Sequence, residues 1–387
     1  MDLPRYVTSK DYMQREADDE LEELERRLRE QYEEAQRQLS NKLRAILNRY
    51  ETQRAAMWAQ VEAGIITQAQ YASWCRTQIL TQRVYQEQID GLAHDLTNVD
   101  KIANAMINGE LPEVYVSSYN FGLFRADMCR SYTEYEGANF QIYNVDALRI
   151  LIAEDPDLIP WIPPELNEAL DFQWNRQQLQ TAVAQGILQG EHVYDIAERI
   201  TPIVNNDEVA AIRTARTSFT SVENQGRRDA SARVQAAGIP MLEPWLATKD
   251  ARTRDTHLML DGTLPNKDGL YGEGIIPRGA LLRFPADPRG APEQIYNCRC
   301  RVQSMIAGID YSHDDELYNQ FLHDNYYEDW LQLQKSPKVD VMREAVERQR
   351  QLRAGERVNR EALIGKTPEE RRAMRERAAQ RRAARGG

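Results

Sequence analysis

WLATKDARTRDTHLMLDG (residues 245–262), FPADPRG (284–290) and NCRCR (297–301) fall close together in a chain that is otherwise built for helices. Residues 245–301 hold two of the four cysteines and one of the five histidines. The Gly/Pro-rich run from Gly262 to Pro292 cannot be one long helix, so the stretch must fold as loops and short strands. Just before it, Pro240 and Pro244 exclude helix, while Met241, Leu242, Trp245 and Leu246 suit an edge strand. Leu281 to Phe284 and Tyr296 to Ser304 are the further expected strands. In the last of these, Cys298, Cys300 and Val302 point one way and Asn297, Arg299 and Arg301 the other, because side chains alternate across a strand. Both thiols should therefore share a face.

Working outward toward the N-terminus, the pattern becomes helical. Leu21, Leu24, Leu28, Tyr32, Ala35, Leu39, Leu43, Ile46 and Tyr50 recur at steps of three and four, a mean close to the period of a straight helix. This predicts one helix from about Tyr12 to Ala63. It packs either on its own domain or, as a strut, on a neighbouring subunit. Gly64 ends it, and Thr67 should cap a second helix to about Asn108, completing a helical hairpin. Gly109 and Pro112 predict a separate helix from Pro112 to Cys129. Asn139 to Tyr143 reads as a short strand, and Val145 to Glu154, Pro164 to Gly186, Val193 to Ile200 and Asp207 to Ala237 read as helices. A C-terminal helix is expected over Asp314 to Leu333.

The chain has 387 residues, room for two or three domains with cores of their own. The net charge of −11 makes the whole body a poor free-standing nucleic-acid binder. Four cysteines, with Cys75 and Cys129 isolated in helical sequence, do not make a secreted disulfide framework, and a reducing compartment is expected. No apolar run reaches the ~18 residues of a transmembrane helix, and the N-terminal residues lack the core of a signal peptide.

Trp245, Asp250, Arg252, Thr253, Arg254, His257, Asp261 and Gly262, then Asp287, Pro288 and Gly290, then Asn297, Cys298, Arg299 and Cys300 follow one another in an ordered pattern. Upstream lie Ile212 to Thr217, Asn224 and Gly226-Arg227. Together these resemble the signature of the MuF-type phage minor head proteins, the head morphogenesis or minor capsid family. There an aromatic residue and short strand precede D-x-R-T-R-x-x-H-x-x-x-D-G, a Pro-rich loop and N-C-R-C. The specific resemblance covers Glu208 to Arg301. It implies residence inside the head, contact with the portal protein in several copies around it, and a role in assembly, genome retention or DNA delivery. Contact with a major capsid or scaffold protein is a further expectation, with no membrane involved during assembly. Some relatives carry a C-terminal toxin, but the roughly eighty residues after Ala307 are too helical and arginine-rich to resemble one.

The expected fold class is therefore α+β, predominantly α. Residues 1–110 would form the long hairpin and 111–206 a helical region. Residues 207–308 would form the MuF-type domain with its small β layer, 309–341 the C-terminal helix, and 342–387 an Arg-rich tail.

Three readings of the site compete. His257, Cys298 and Cys300 are ligand types that zinc prefers, with Asp250, Asp255 or Asp261 available to complete a tetrahedron, although Cys-x-Cys is a weaker zinc signal than Cys-x-x-Cys. In the second reading no cofactor is bound. The thiols are small core residues, His257 is hydrogen-bonded to a carboxylate, and Arg252 and Arg254 are clamped to Asp250 or Asp287. Arg254 would then be a buried hub and Arg227 an exposed helix residue. The third is a metal-dependent nuclease, against which stands the lack of a second acid pair at metal-bridging spacing and of any P-loop or dinucleotide glycine motif. No catalytic residue is assigned, and the protein is expected not to be an enzyme.

Arg353 to Arg385 carries eleven basic against five acidic residues, locally positive in a negative protein. With so little apolar surface this tail should order only against a partner. Arg371, Arg372, Arg375, Arg377, Arg381, Arg382 and Arg385 are the candidates for contact with double-stranded DNA; a solubilising tail with no partner is the alternative.

Overall fold

The structure is a computed structural model and describes residues 12–81, 83–130, 140–155, 166–189, 191–277, 280–308, 326–334 and 339–361. The first helix, α1, spans Tyr12–Glu62. Leu24, Leu28, Tyr32, Ala35, Leu39, Leu43, Leu47 and Tyr50 are all buried along it, so the periodic stripe is the core face. It packs within its own chain, against helices α3 (Arg83–Arg130), α6 (Val193–Glu198) and α7 (Thr201–Ala236).

Beyond Tyr50 the hairpin leaves the body. Neither the rest of α1 nor the described side chains of α2 (Gln68–Thr81) are buried. Aromatic contacts hold the two arms, with Tyr50 stacked on Trp74 at 5.9 Å and Trp58 edge-on to Tyr71 at 5.1 Å. Thr67 caps α2 as expected: its hydroxyl accepts the Gln70 N–H while the Gln70 side chain accepts the Thr67 N–H.

The break expected at Pro112 does not occur, because α3 runs through it. Proline removes one backbone bond, but Leu111, Val114 and Tyr115 on both sides are deeply buried, and that packing outweighs the lost bond. α3 crosses α7 at very close range. A Cβ on Gly226 would stand 2.7 Å from the Tyr115 carbonyl, and one on Gly122 would stand 2.8 Å from Ala230 Cβ. Residues Phe140 to Asn144 form no strand; instead the Asn120 side chain donates to the Tyr143 carbonyl and accepts its N–H, both at 2.8 Å.

α4 (Val145–Glu154) starts at Asn144, whose side chain accepts the Ala147 N–H at 2.9 Å. α5 covers Glu168–Gln189. α7 is enclosed on every side through its middle, where Thr217, Ser218, Thr220, Ser221, Glu223, Asn224, Gln225, Arg227, Asp229 and Ser231 are all buried. A helix that buries so many polar groups must satisfy them through its neighbours.

Two antiparallel two-residue pairs make the β component. β1 (Met241–Leu242) pairs with β4 (Met305–Ile306), and β2 (Trp245–Leu246) pairs with β3 (Arg301–Val302), Trp245 opposite Val302. The strand expected over Leu281 to Phe284 is reduced to one bridge between Tyr271 and Leu282. Around these pairs Trp245, Tyr271, Leu282, Phe284, Ile295, Cys298, Cys300 and Val302 form a second apolar core, distinct from the helical one. The fold is thus predominantly α with a small β element.

Near the C-terminus come α10 (Glu328–Leu333) and α11 (Val339–Glu361). The start expected for the C-terminal helix, and the tail arginines from Arg371 to Arg385, lie outside the described residues. α11 runs across the tail boundary expected at 342, with Met342 and Val346 in the helical core. Arg353 is not a tail residue either. It pairs with buried Asp229, which also accepts from Tyr115, Gln225 and Gln349. Apolar residues spaced along one face of α11 give it a docking surface that its high charge density masks in the sequence.

Candidate functional site

The site rests on α7. Asn224 reaches from it to the Cys-x-Cys segment, donating to the Cys300 carbonyl at 3.1 Å and accepting the Val302 N–H at 2.8 Å. One residue earlier, Glu223 is fully buried and shared by two guanidiniums. Arg227 lies 2.9 Å from one of its oxygens, and Arg301 of β3 pairs with the other. Arg301 also reaches Asp18 of α1 at 3.3 Å. This network joins α1, α7 and β3 beneath the site.

It also corrects the sequence reading. Arg227 is 6% exposed and ion-paired, not a solvated helix residue. Arg254 is half-buried and donates one bond to the Tyr296 carbonyl at 2.5 Å. The clamp on Asp250 is Arg299, at 2.5 and 2.7 Å, and that on Asp287 is Arg283. Arg252 stays exposed, its guanidinium 4.0 Å from Asp250. Hydrogen bonding from Arg299 holds the Asp250 carboxyl well below the ordinary carboxylate range. Burial works to raise Asp287, but the bonds from Arg283 prevail and keep it low.

The loop geometry explains the remaining signature residues. Trp245 is fully buried; its N–H bonds to the Thr263 carbonyl, and the Gly262 N–H returns to the Trp245 carbonyl at 2.7 Å. Gly262 takes a φ of +74°, which favours glycine there. Asp261 accepts the Ala247 N–H at 3.0 Å and pairs with Lys249. Asn297, with φ +54°, donates its N–H to Thr217 of α7. Asn tolerates this left-handed conformation better than most residues.

His257 belongs to the short helix α8 (Asp255–Met259), and Gln294 to α9 (Pro292–Ile295). His257, Cys298 and Cys300 come together, each about 1% exposed. His257 Nδ1 is 3.6 Å from both Sγ atoms, and its Nε2 is 3.2 Å from Gln294 Oε1. The partner expected for His257 was a carboxylate; it is an amide. The Trp245 ring lies edge-on to the imidazole at 5.1 Å. Burial opposes ionisation of Cys298, but bonding to Cys300 and the charges of Arg254 and Arg301 draw the thiol down to about 7, while its bond to Cys298 and burial push Cys300 up. None of Asp250, Asp255 or Asp261 joins the cluster. The shared thiol face arises although only Arg301 and Val302 of the expected strand are paired.

Residues 177–303 match the family described as Phage Mu protein F like protein. Over this region the chain is similar to the MuF-type phage minor head proteins. It is 28% identical over 225 residues to the minor head protein GP7 of Bacillus phage SPP1, a match spanning 58% of this chain and 68% of that protein. It is 29% identical over 133 residues to the NAD(+)--arginine ADP-ribosyltransferase EFV of Enterococcus faecalis. That match spans 34% of this chain and 26% of the relative, too little of the enzyme for its activity to be carried over. No solved structure matches. The match starts within α5 and takes in α7, β1, β2, β3 and the His/Cys cluster, so the helix beneath the site falls in the same matched region as the loops above it.

The residues that sequence reasoning missed are Glu223, Gln294, Arg299 as the Asp250 clamp, and Asp229. Glu223 to Arg227 spans the i to i+4 spacing of a surface pair, so nothing local marks it as buried.

Proposed function

We propose that this chain is a minor head protein acting in phage head morphogenesis. In this reading it is a virion component that lies inside the head near the portal vertex, in several copies that contact the portal protein. A major capsid or scaffold protein is a further partner. It takes part in packaging, genome retention or DNA delivery. The observation that carries the reading is the assembly of the whole signature, from Trp245 to Arg301, into one unit locked onto α7. The similarity to the SPP1 minor head protein, across most of that relative's length, supports it.

A structural role is favoured over nuclease chemistry by the state of the acids. Asp250 and Asp287 are each held by an arginine, and Asp261 by a backbone N–H and Lys249. Carboxylates occupied in this way are poor ligands for a pair of catalytic metal ions. Among the described residues no helix is long and apolar enough to cross a membrane.

Mass spectrometry of separated heads and tails tests the assignment. The chain should be found in full heads and should co-purify with a portal oligomer. Its presence only in tails, or its absence from virions, would overturn the reading.

A further inference from the structure

His257, Cys298 and Cys300 set two sulfurs at the same distance from one imidazole nitrogen. Gln294 Oε1 lies 3.2 Å from His257 Nε2 and also accepts from Thr256, so it takes the imidazole proton and leaves Nδ1 as a lone pair. That single lone pair faces two sulfurs at the same 3.6 Å. One thiol S–H can satisfy it and the other can bond the neighbouring sulfur, but hydrogen bonding does not require the two sulfurs to stand at equal distance from the nitrogen. A cation between the three atoms accounts for both distances at once. Tetrahedral zinc with Zn–N of about 2.0–2.1 Å and Zn–S of about 2.3 Å sets N···S near 3.6 Å. The three donor atoms all lie within 4.8 Å of one another.

We propose that His257 Nδ1 and the Cys298 and Cys300 thiolates bind a zinc ion that staples the Cys-x-Cys segment to α8. The surroundings have the features such a site requires. The amide behind Nε2 fixes ring orientation and tautomer, the usual arrangement behind a metal-bound histidine. The backbone carrying the thiols is anchored from separate elements: Asn224 holds the Cys300 carbonyl, Thr248 the Arg299 carbonyl at 2.6 Å, and Arg254 the Tyr296 carbonyl. The ligands are thus placed before a metal arrives. Two thiolates neutralise the ion, so the buried site carries no net charge, which limits the cost of taking it out of water. Among the described residues no fourth His, Cys, Asp or Glu donor completes the set, and a water molecule takes the fourth position. Metal binding releases the two thiol protons to solvent, so occupancy rises with pH. The inference concerns this domain alone and holds wherever the protein sits in the particle.

The full chain, produced in zinc-supplemented medium and purified without chelators or a histidine tag, should carry about one zinc per molecule by elemental analysis. The Cys298→Ser/Cys300→Ser double variant should lose it, while Asp250→Asn should keep it. Should the double variant fail to fold, metal-stripped wild-type chain decides the matter. Titration with Co(II) should give the intense visible bands of tetrahedral cobalt with a thiolate charge-transfer band, saturating at one equivalent, and should protect two cysteines from alkylation. Folded wild-type chain that takes up neither zinc nor cobalt, or a double variant that is folded and keeps full metal content, would overturn the proposal.

Discussion

Asn224 and Cys300 are separated by 76 residues of sequence, yet the Asn224 side chain donates to the Cys300 carbonyl at 3.1 Å and accepts the Val302 N–H at 2.8 Å. The amide thus supplies a donor and an acceptor to the one segment that carries both thiols. It does so from the middle of a buried helix, where water cannot substitute.

Asn224→Ala should therefore cost about 2–4 kcal/mol, since it leaves the buried Val302 N–H unpaired and takes one of two donors from the Cys300 carbonyl. Urea unfolding followed by far-UV circular dichroism measures it. Asn224→Asp keeps the acceptor but loses the donor and buries a charge, and it should be no better. A loss below about 0.5 kcal/mol for Asn224→Ala would show that the Cys-x-Cys segment is held by other contacts.

Arg227→Ala should be the more damaging of two arginine substitutions. It removes one of the two guanidiniums on fully buried Glu223, a change that costs about 3–5 kcal/mol for buried pairs. Arg254→Ala gives up one bond to a carbonyl from a half-buried position and should cost about 1 kcal/mol. Thermal unfolding of both variants side by side decides the order; equal shifts would contradict the buried network.

The α3–α7 crossing predicts a strong effect from a single methyl group. On Gly226→Ala the new Cβ meets the Tyr115 carbonyl at 2.7 Å, a backbone atom that cannot swing aside. Overpacking of this kind costs about 1–3 kcal/mol. Gly109→Ala lies on the same long α3 with open space around it, and should be neutral or slightly stabilising through helix propensity.

A pH dependence follows from three acids on one cavity of about 150 Å³ lined by Tyr32, Asp100, Asp171 and Asp207. Burial pushes Asp207 up to about 8, with Asp100 and Asp171 adding to it. Burial likewise lifts Asp100 to about 7 against the hydrogen bond from Tyr32, and Asp171 is also raised. In the folded chain these groups keep protons that the unfolded chain has already lost above about pH 4. Their contribution to stability is complete below that pH and disappears as pH climbs through 7 to 8. Asp207→Asn should leave stability at about pH 3.5 nearly unchanged, raise it at about pH 8.5 and flatten the slope between. An identical slope in wild type and variant would mean that Asp207 titrates normally.

The DNA contact proposed for the tail is separable from the body. Truncation after Gly365 removes Arg371, Arg372, Arg375, Arg377, Arg381, Arg382 and Arg385 while keeping Arg353 on Asp229. Retention of double-stranded DNA at about 50 mM salt should be lost while the melting temperature is kept. Binding by the truncated chain with an unchanged salt slope would move the contact to the helical body.

Much of the helical frame was legible because its signal is local. The stripe from Leu24 to Tyr50 names its own buried face, Asn144 and Thr67 mark their helix starts, and the ordered run from Trp245 to Cys300 carries the resemblance to the MuF-type proteins. The strands were less legible: two-residue pairs beside Pro240 and Pro244 hardly outlast the noise of a period-two pattern, and the bridge at Leu282 has none.

What the tertiary structure alone decided is which polar residues are buried. Glu223, Arg227, Asp229 and Arg353 have the spacing and composition of solvated helix surface. They are inside because α7 is covered by α1, α3, α11 and β3 at once, and coverage is a property of long-range packing. Pro112 reads as a helix end until Leu111 and Tyr115 are seen buried on either side of it. The same holds at the site. The sequence by itself brought His257, Cys298 and Cys300 forward as a set, since ligand chemistry belongs to residue types. Their equal 3.6 Å distances, and the amide of Gln294 behind the ring, depend on loops whose course is set by contacts with a helix some eighty residues away.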